Sequence, residues 1–248
     1  MPDIEWNKEI WNKYFSTAAT GGEWSSAWGG VDMEWYAEIL PRIHSFVPTQ
    51  TILEIAPGAG RWTVFLAPLC DKLIIVELSE NALKLCKNRF IGSPYDIEFY
   101  VNDGKSLDMI KGESVDFIFS HGSLVHSDDD AIQAYLSQFN RILTKDGAGF
   151  IHHSTAGMYL PDERLAKNID KGRGDMTAER FAVLAKTYGC PCITQELTFW
   201  TNSTGWADCF STFTKAGSKW ERPCKTWMNS GFQSGIGRIK EMAEYYAR

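Results

Sequence analysis

From Thr51 onward, short apolar runs alternate with segments of helical period, and this alternation constrains the fold more than any other feature of the chain. A strand buried on both faces of a parallel sheet needs a crossover helix to reach the next strand, so such alternation marks strand–helix units. The spacing predicts strands at 51–56, 72–78, 97–102, 115–120 and 149–153. Helices are predicted at 61–70, at 79–90 with Ser79 as N-cap, and at 128–143, which Ser127 can cap with Asp130 three residues on. A further helix at 177–188 precedes two β-rich stretches, 192–200 and 208–214. Thr201, Asn202, Ser203 and Gly205 lie between those stretches, a composition suited to an antiparallel hairpin. The expected architecture is a doubly wound α/β domain.

Composition limits what such a domain acts on. A net charge of -6 with no Lys/Arg run repels a phosphate backbone and argues against nucleic acid. No apolar run approaches the roughly 18 residues of a membrane span. The opening residues mix Asp3, Glu5, Lys8 and Glu9 with aromatics, unlike a secretory leader. A cytoplasmic protein acting on a small molecule is the expectation, with its oligomeric state open. The chain is too large to need stapling, so Cys70, Cys86, Cys190, Cys192, Cys209 and Cys224 are expected as free thiols.

The first strand runs into Glu54-Ile-Ala56-Pro57-Gly58-Ala-Gly60-Arg61-Trp62-Thr63, where the backbone must turn sharply and leave room for a ligand. Seventeen positions beyond Gly60, Glu77 closes the second strand, where a carboxylate can accept hydrogen bonds from both hydroxyls of a ribose. A dinucleotide site carries a third glycine three residues after the second, beneath its pyrophosphate; here that position is Thr63. A ribose-bearing cofactor without a pyrophosphate fits better, and S-adenosylmethionine is one.

Between about Thr51 and Ser154 the chain resembles the class I S-adenosylmethionine-dependent methyltransferases. Their glycine motif corresponds to Glu54 through Gly60, with Ala56 where glycine is commoner, and their second acidic residue to Glu77 in Val76-Glu77-Leu78-Ser79. The resemblance implies a mostly parallel, seven-stranded Rossmann-like sheet with an antiparallel C-terminal hairpin and an N-terminal helical arm. Residues 1–50 then form an arm or lid over the cofactor, 51–215 the methyltransferase domain, and 216–248 an extension with an amphipathic helix after Asn229. It also implies a cofactor set of Glu54, Ala56, Pro57, Gly58, Gly60, Glu77, Leu78, Asn102, Asp103, Gly104, Ser120 and His121, with Asp103 on the adenine amino group. An aspartate at a strand end is equally a turn former.

Methyl transfer from a sulfonium needs a base only where the acceptor must lose a proton. Of five histidines, His121, His126, His152 and His153 fall at the carboxyl ends of the fourth and fifth strands, where open α/β sheets bind ligands. His126, His152 and His153 are the candidate catalytic bases. Neighbouring strand residues face opposite sides, so His152 and His153 cannot both enter one cleft. Asp128, Asp129 and Asp130 read as a helix start rather than a metal site. Trp24 and Trp28 stand in a glycine-flanked segment and are expected to close over the cofactor. Arg42, Arg61, Arg164 and Arg173 could bind an anionic substrate, but each is read as a solvated surface residue. O-methylation of a small polar acceptor, a saccharide or glycosylated metabolite, leads. N-methylation of an amino compound, a nicotinamide-dependent oxidoreductase and a nucleoside-sensing binding protein stay open as alternatives.

Overall fold

A computed structural model describes residues 2–17, 19–159, 172–199 and 206–232. Five strands, β1 (Thr49–Ile55), β2 (Cys70–Glu77), β3 (Asp96–Val101), β4 (Val115–Ser120) and β5 (Leu143–Ser154), pair in parallel in the order β3-β2-β1-β4-β5. The period of two divides their side chains between two cores. Leu53, Ile74, Val76, Ile118 and Ile151 face one layer with α6 (Asp129–Ile142) and α7 (Ala178–Thr187). Ile52, Leu73, Ile75, Phe117, Phe119 and Phe150 face the other, with Trp35, Ile39 and Ile43. Those three come from a helical run made of α2 (Val31–Glu34), a π turn (Trp35–Ile39) and α3 (Leu40–Ile43). Layers on both faces explain why these strands read as near-continuous apolar runs.

β6 (Cys192–Thr198) and β7 (Asp208–Thr214) form the antiparallel hairpin, and β7 docks antiparallel on β5. Among the described residues the sheet has eight strands rather than seven, because β8 (Lys225–Asn229) adds parallel to β6. β8 is a short, largely exposed edge strand with no apolar alternation to reveal it. The expected C-terminal helix, the loop 201–205 and Arg164 lie outside the described residues.

Several boundaries move for local reasons. The helix expected over 61–70 is only α4 (Thr63–Leu66) followed by a 3-10 turn at Ala67–Leu69, since Pro68 has no N–H to continue the ladder. Ser79 caps α5 (Glu80–Arg89) as expected. α6 is capped by Asp128, not Ser127: its extended backbone lets the carboxylate accept from the Ala131 N–H at 2.8 Å. Among the described residues no helix is long and apolar enough to cross a membrane, and all six cysteines are free.

The glycine loop sits between β1 and α4, where the chain leaves the sheet's middle; β2 flanks β1 on one side and β4 on the other. That reversal of strand order opens a crevice at the carboxyl ends of the strands. α1 (Ile4–Phe15), capped by Asp3, lies across it. Asn12 Oδ1 of α1 accepts from the Ser79 hydroxyl at 2.8 Å, and the Asn7 amide donates to the His126 carbonyl at 2.8 Å. The arm is thus tied to both walls of the crevice.

Candidate active site

Under α1 lies a cleft of about 870 Å³, counted out to its open mouth. Its floor is the glycine loop, and of the residues expected there Ala56, Pro57 and Gly58 face the cleft, followed by Glu77, Leu78, Gly104, His121 and Trp24. The backbone of Ala56 is left-handed, φ 55, which explains why glycine is the commoner residue at this position. Gly58 is also left-handed, φ 60, and a Cβ there would stand 3.0 Å from Phe15 Cζ of the roof.

Glu77 organises the floor. One carboxylate oxygen accepts from the Gly58 N–H at 2.9 Å and the other from the Ser79 N–H at 2.9 Å, so it joins the loop to the start of α5. Burial pushes its pKa up, opposed by those N–H bonds. The lone pairs not spent on backbone remain for hydroxyl donors in the cleft.

Six expected cofactor residues stand elsewhere. Glu54 points beneath the loop, 1% exposed, and accepts from the Thr63 hydroxyl at 2.7 Å. Thr63, the residue that departs from the dinucleotide pattern, is therefore Glu54's buried partner. Gly60 packs on α5, with Cys86 Sγ 2.9 Å from where its Cβ would be. Asn102 and Asp103 are spent on their own turn. The Asp103 carboxylate accepts the N–H groups of Lys105 and Ser106 at 2.9 and 2.7 Å, while Asn102 accepts from the Gly104 N–H and donates to the Tyr135 hydroxyl. Ser120 is fully buried and does not wall the cleft. Trp28 is 2% exposed, against Phe232 in the core. The segment Gly22–Trp28 is a 3-10 helix, and at about three residues per turn a side chain four places after Trp24 leaves on another face.

The histidines separate as the strand period requires. His153 faces away from the cleft, stacked on Phe181 with centroids 4.2 Å apart and bonded to the Ser211 hydroxyl at 2.8 Å. Burial holds its pKa down at about 4. His152 is buried behind the cleft wall; its Nδ1 accepts from the Gly122 N–H at 3.2 Å, and Nε2 lies 3.3 Å from Asp208 Oδ2. Arg173 donates to the same oxygen at 2.8 Å. His126 sits at the rim, its Nδ1 donating to the Gly172 carbonyl at 2.6 Å and its ring 5.2 Å from Trp11. His121 is the histidine that walls the cleft, held between the edge of Trp62, the His152 ring and the face of Phe210. Burial first, then His152 and nearby arginines, depress its pKa well below 6.5, so it is a neutral imidazole.

The arm's contribution is absent from the expected set. Ile4, Asn7, Trp11 and Phe15 all line the cleft, and their spacing of three, four and four is one stripe of a helix. Arg61 and Trp62 also line the cleft; Arg61 and Arg173 are buried and Arg42 is half-buried, each in an ion pair rather than solvated. Asp128 serves as cap, and Asp129 pairs with Arg180 at 2.8 Å.

Glu54 gives a pH signature independent of any ligand. Burial raises its pKa from 4.5 to about 8, so the folded state binds a proton that the unfolded chain has lost. This stabilisation is complete below the unfolded value and is lost as pH rises through about 8. Glu54→Gln, which keeps an acceptor for Thr63, should gain stability relative to wild type by on the order of 4 kcal/mol between mildly acidic and alkaline solution. Denaturant titrations at the two pH values test this; a pH-independent difference would show that Glu54 ionises freely.

Residues 52–147 match the family model described as Methyltransferase domain. The chain is 31% identical over 122 residues to Phosphoethanolamine N-methyltransferase 1 of Zea mays, covering 47% of this chain and 24% of the relative. It is 34% identical over 101 residues to Phosphoethanolamine N-methyltransferase 3 of Arabidopsis thaliana, covering 39% and 20%. The matched stretch spans less than a quarter of either relative's length. A solved S-adenosylmethionine-dependent methyltransferase from Clostridium acetobutylicum superposes with a TM-score of 0.58 at 15% identity, over 74% of this chain and 92% of that one. That likeness is one of fold.

Proposed function

Residues 52–147 belong to a class I S-adenosylmethionine-dependent methyltransferase domain, and from that premise we propose that the chain transfers the sulfonium methyl to an oxygen of a small polar acceptor, of the saccharide or glycosylated-metabolite kind. The observation that carries this reading is the polarity of the cleft. A ribose-competent carboxylate, Glu77, lines the cleft on the β2 side of the glycine loop with its bare backbone at Gly58; the neutral imidazole of His121 lines it on the β4 side, beside Trp62, with Trp11 and Trp24 also lining it. S-adenosylmethionine supplies an already activated methyl group, so the protein's task is to position the acceptor and exclude water. The indole walls offer the stacking surface a sugar ring uses. A neutral imidazole can take the proton that a hydroxyl sheds as it becomes an ether. In this reading His121, rather than His126, His152 or His153, is the acceptor-side base, and His152 positions it through the Gly122 loop.

N-methylation of an amino compound is the second reading, favoured by the similarity to the phosphoethanolamine enzymes. Isotopically labelled methyl donor, offered with sugars, glycosides and phosphoethanolamine, separates the two by the atom that carries label. The cofactor assignment has its own test. Glu77→Ala removes a charged acceptor from the ribose and leaves the Gly58 and Ser79 N–H groups without their partner, so affinity for S-adenosylhomocysteine should fall about tenfold. Calorimetry that finds equal affinity in the folded variant, or tight binding of NAD by wild type, discards the assignment.

A further inference from the structure

Arg61 is the only arginine or lysine among the described residues that walls the cleft. It is 9% exposed, and its guanidinium lies over Trp62 at 4.3 Å and Trp24 at 5.6 Å. One hydrogen bond holds it, from Nη1 to the Ser25 hydroxyl at 3.1 Å. The nearest carboxylate, Glu34, stands 3.6 Å from Nη1, beyond hydrogen-bond distance. Burial raises the Glu34 pKa to about 7, so near neutral pH that carboxylate offsets only part of the arginine's charge. The Nη2 and Nε protons have no acceptor among the described residues. Nη2 stands 2.9 Å from where a Cβ on Gly122 would be, so the loop after β4 admits the guanidinium only because it has no side chain there.

A buried cation with an open, planar pair of donors is a receptor for an oxyanion, since two parallel N–H groups match carboxylate or phosphate geometry. Trp62 packs against the guanidinium and fixes its plane, which lowers the cost of ordering it when a ligand docks. We propose that Arg61 is the oxyanion receptor of the cleft and takes a carboxylate or phosphate through Nη2 and Nε. The group comes either from the amino-acid end of S-adenosylmethionine or from an acid on the methyl acceptor. The proposal rests on the cleft being the cofactor and acceptor site, and it adds that one of the two ligands presents an anion to Arg61.

Two calorimetric arms on the full chain distinguish the sources. In the first, wild type, Arg61→Met and Arg61→Lys are titrated with S-adenosylhomocysteine and with methylthioadenosine, which lacks the amino-acid carboxylate. If the cofactor supplies the anion, Arg61→Met loses about tenfold for S-adenosylhomocysteine with methylthioadenosine unchanged, and Arg61→Lys loses less. In the second, protein saturated with S-adenosylhomocysteine is titrated with inorganic phosphate; if the acceptor supplies the anion, wild type and Arg61→Lys bind it and Arg61→Met does not. Equal behaviour of the folded variants in both arms, or equal losses for the two nucleosides with no phosphate effect, overturns the proposal. Should Arg61→Met not fold, Arg61→Gln, which is likewise uncharged, takes its place by the same criteria. Wild type that binds phosphate through Arg61 but no S-adenosylhomocysteine keeps the receptor and discards the cofactor reading.

Discussion

Gly58→Val is expected to leave no measurable S-adenosylmethionine binding in a protein that still folds. The residue sits at φ 60, a region where a β-branched side chain is strained by on the order of 1–2 kcal/mol. Its Cβ would stand 3.0 Å from Phe15 Cζ, so even the first carbon presses on the roof, and the two methyls of valine must enter the cleft or displace α1. Either outcome removes ligand space. The Gly58 N–H would also be turned from Glu77, whose carboxylate it holds at 2.9 Å. Gly58→Ala should be weakened less, since it adds the strain and one contact without the branches. Calorimetry with S-adenosylhomocysteine, alongside circular dichroism to establish folding, reads the result; normal affinity in a folded Gly58→Val protein would mean that the ligand does not cross this loop.

Those parts of the molecule that local chemistry dictates were legible in the sequence. β1, β2 and β4 are continuous apolar runs because both faces are covered, and Ser79 announces its helix through a hydroxyl that accepts an N–H bond. Glu77 stood out because an acidic residue at the end of an apolar strand has few structural reasons to be there. What long-range packing decides was less legible. Asp103 binds its own turn, and no spacing rule separates an aspartate that caps a turn from one that meets a ligand. Trp24 and Trp28 look alike in sequence, but a 3-10 rather than α-helical phase sends one to the cleft and the other to the core. The Ile4, Asn7, Trp11, Phe15 stripe was a readable helical signal, obscured because Asn7 breaks its apolar pattern while serving as the tie to the His126 carbonyl. Arginines of a buried ion pair carry no mark that distinguishes them from surface ones, which is why Arg61 emerges only from the packing of Trp62 and Gly122 around it.

His121→Ala should lower kcat by roughly 100-fold with cofactor affinity near normal, the low end of what a positioned base supplies. The low end is appropriate because a depressed pKa reduces the driving force for proton uptake, while geometry favours the residue. Trp62, His152 and Phe210 hold the ring on three sides, and it is the described histidine that faces the cleft. The sign of the pH dependence follows from burial. A group whose charged form is disfavoured stays neutral as pH falls through its ordinary 6.5, so wild-type kcat should be flat from about pH 8 down to about pH 6. A base with histidine's ordinary pKa would instead give an acid limb within that window. A flat profile with turnover sensitive to His121 and indifferent to His126 identifies the cleft-wall imidazole as the proton acceptor, and with it an acceptor that has a proton to lose. Turnover indifferent to both, with chemistry rate-limiting, means the nucleophile arrives with its lone pair free. In that case the cleft serves a neutral amine, and His121 acts only as part of the wall that excludes water from the sulfonium.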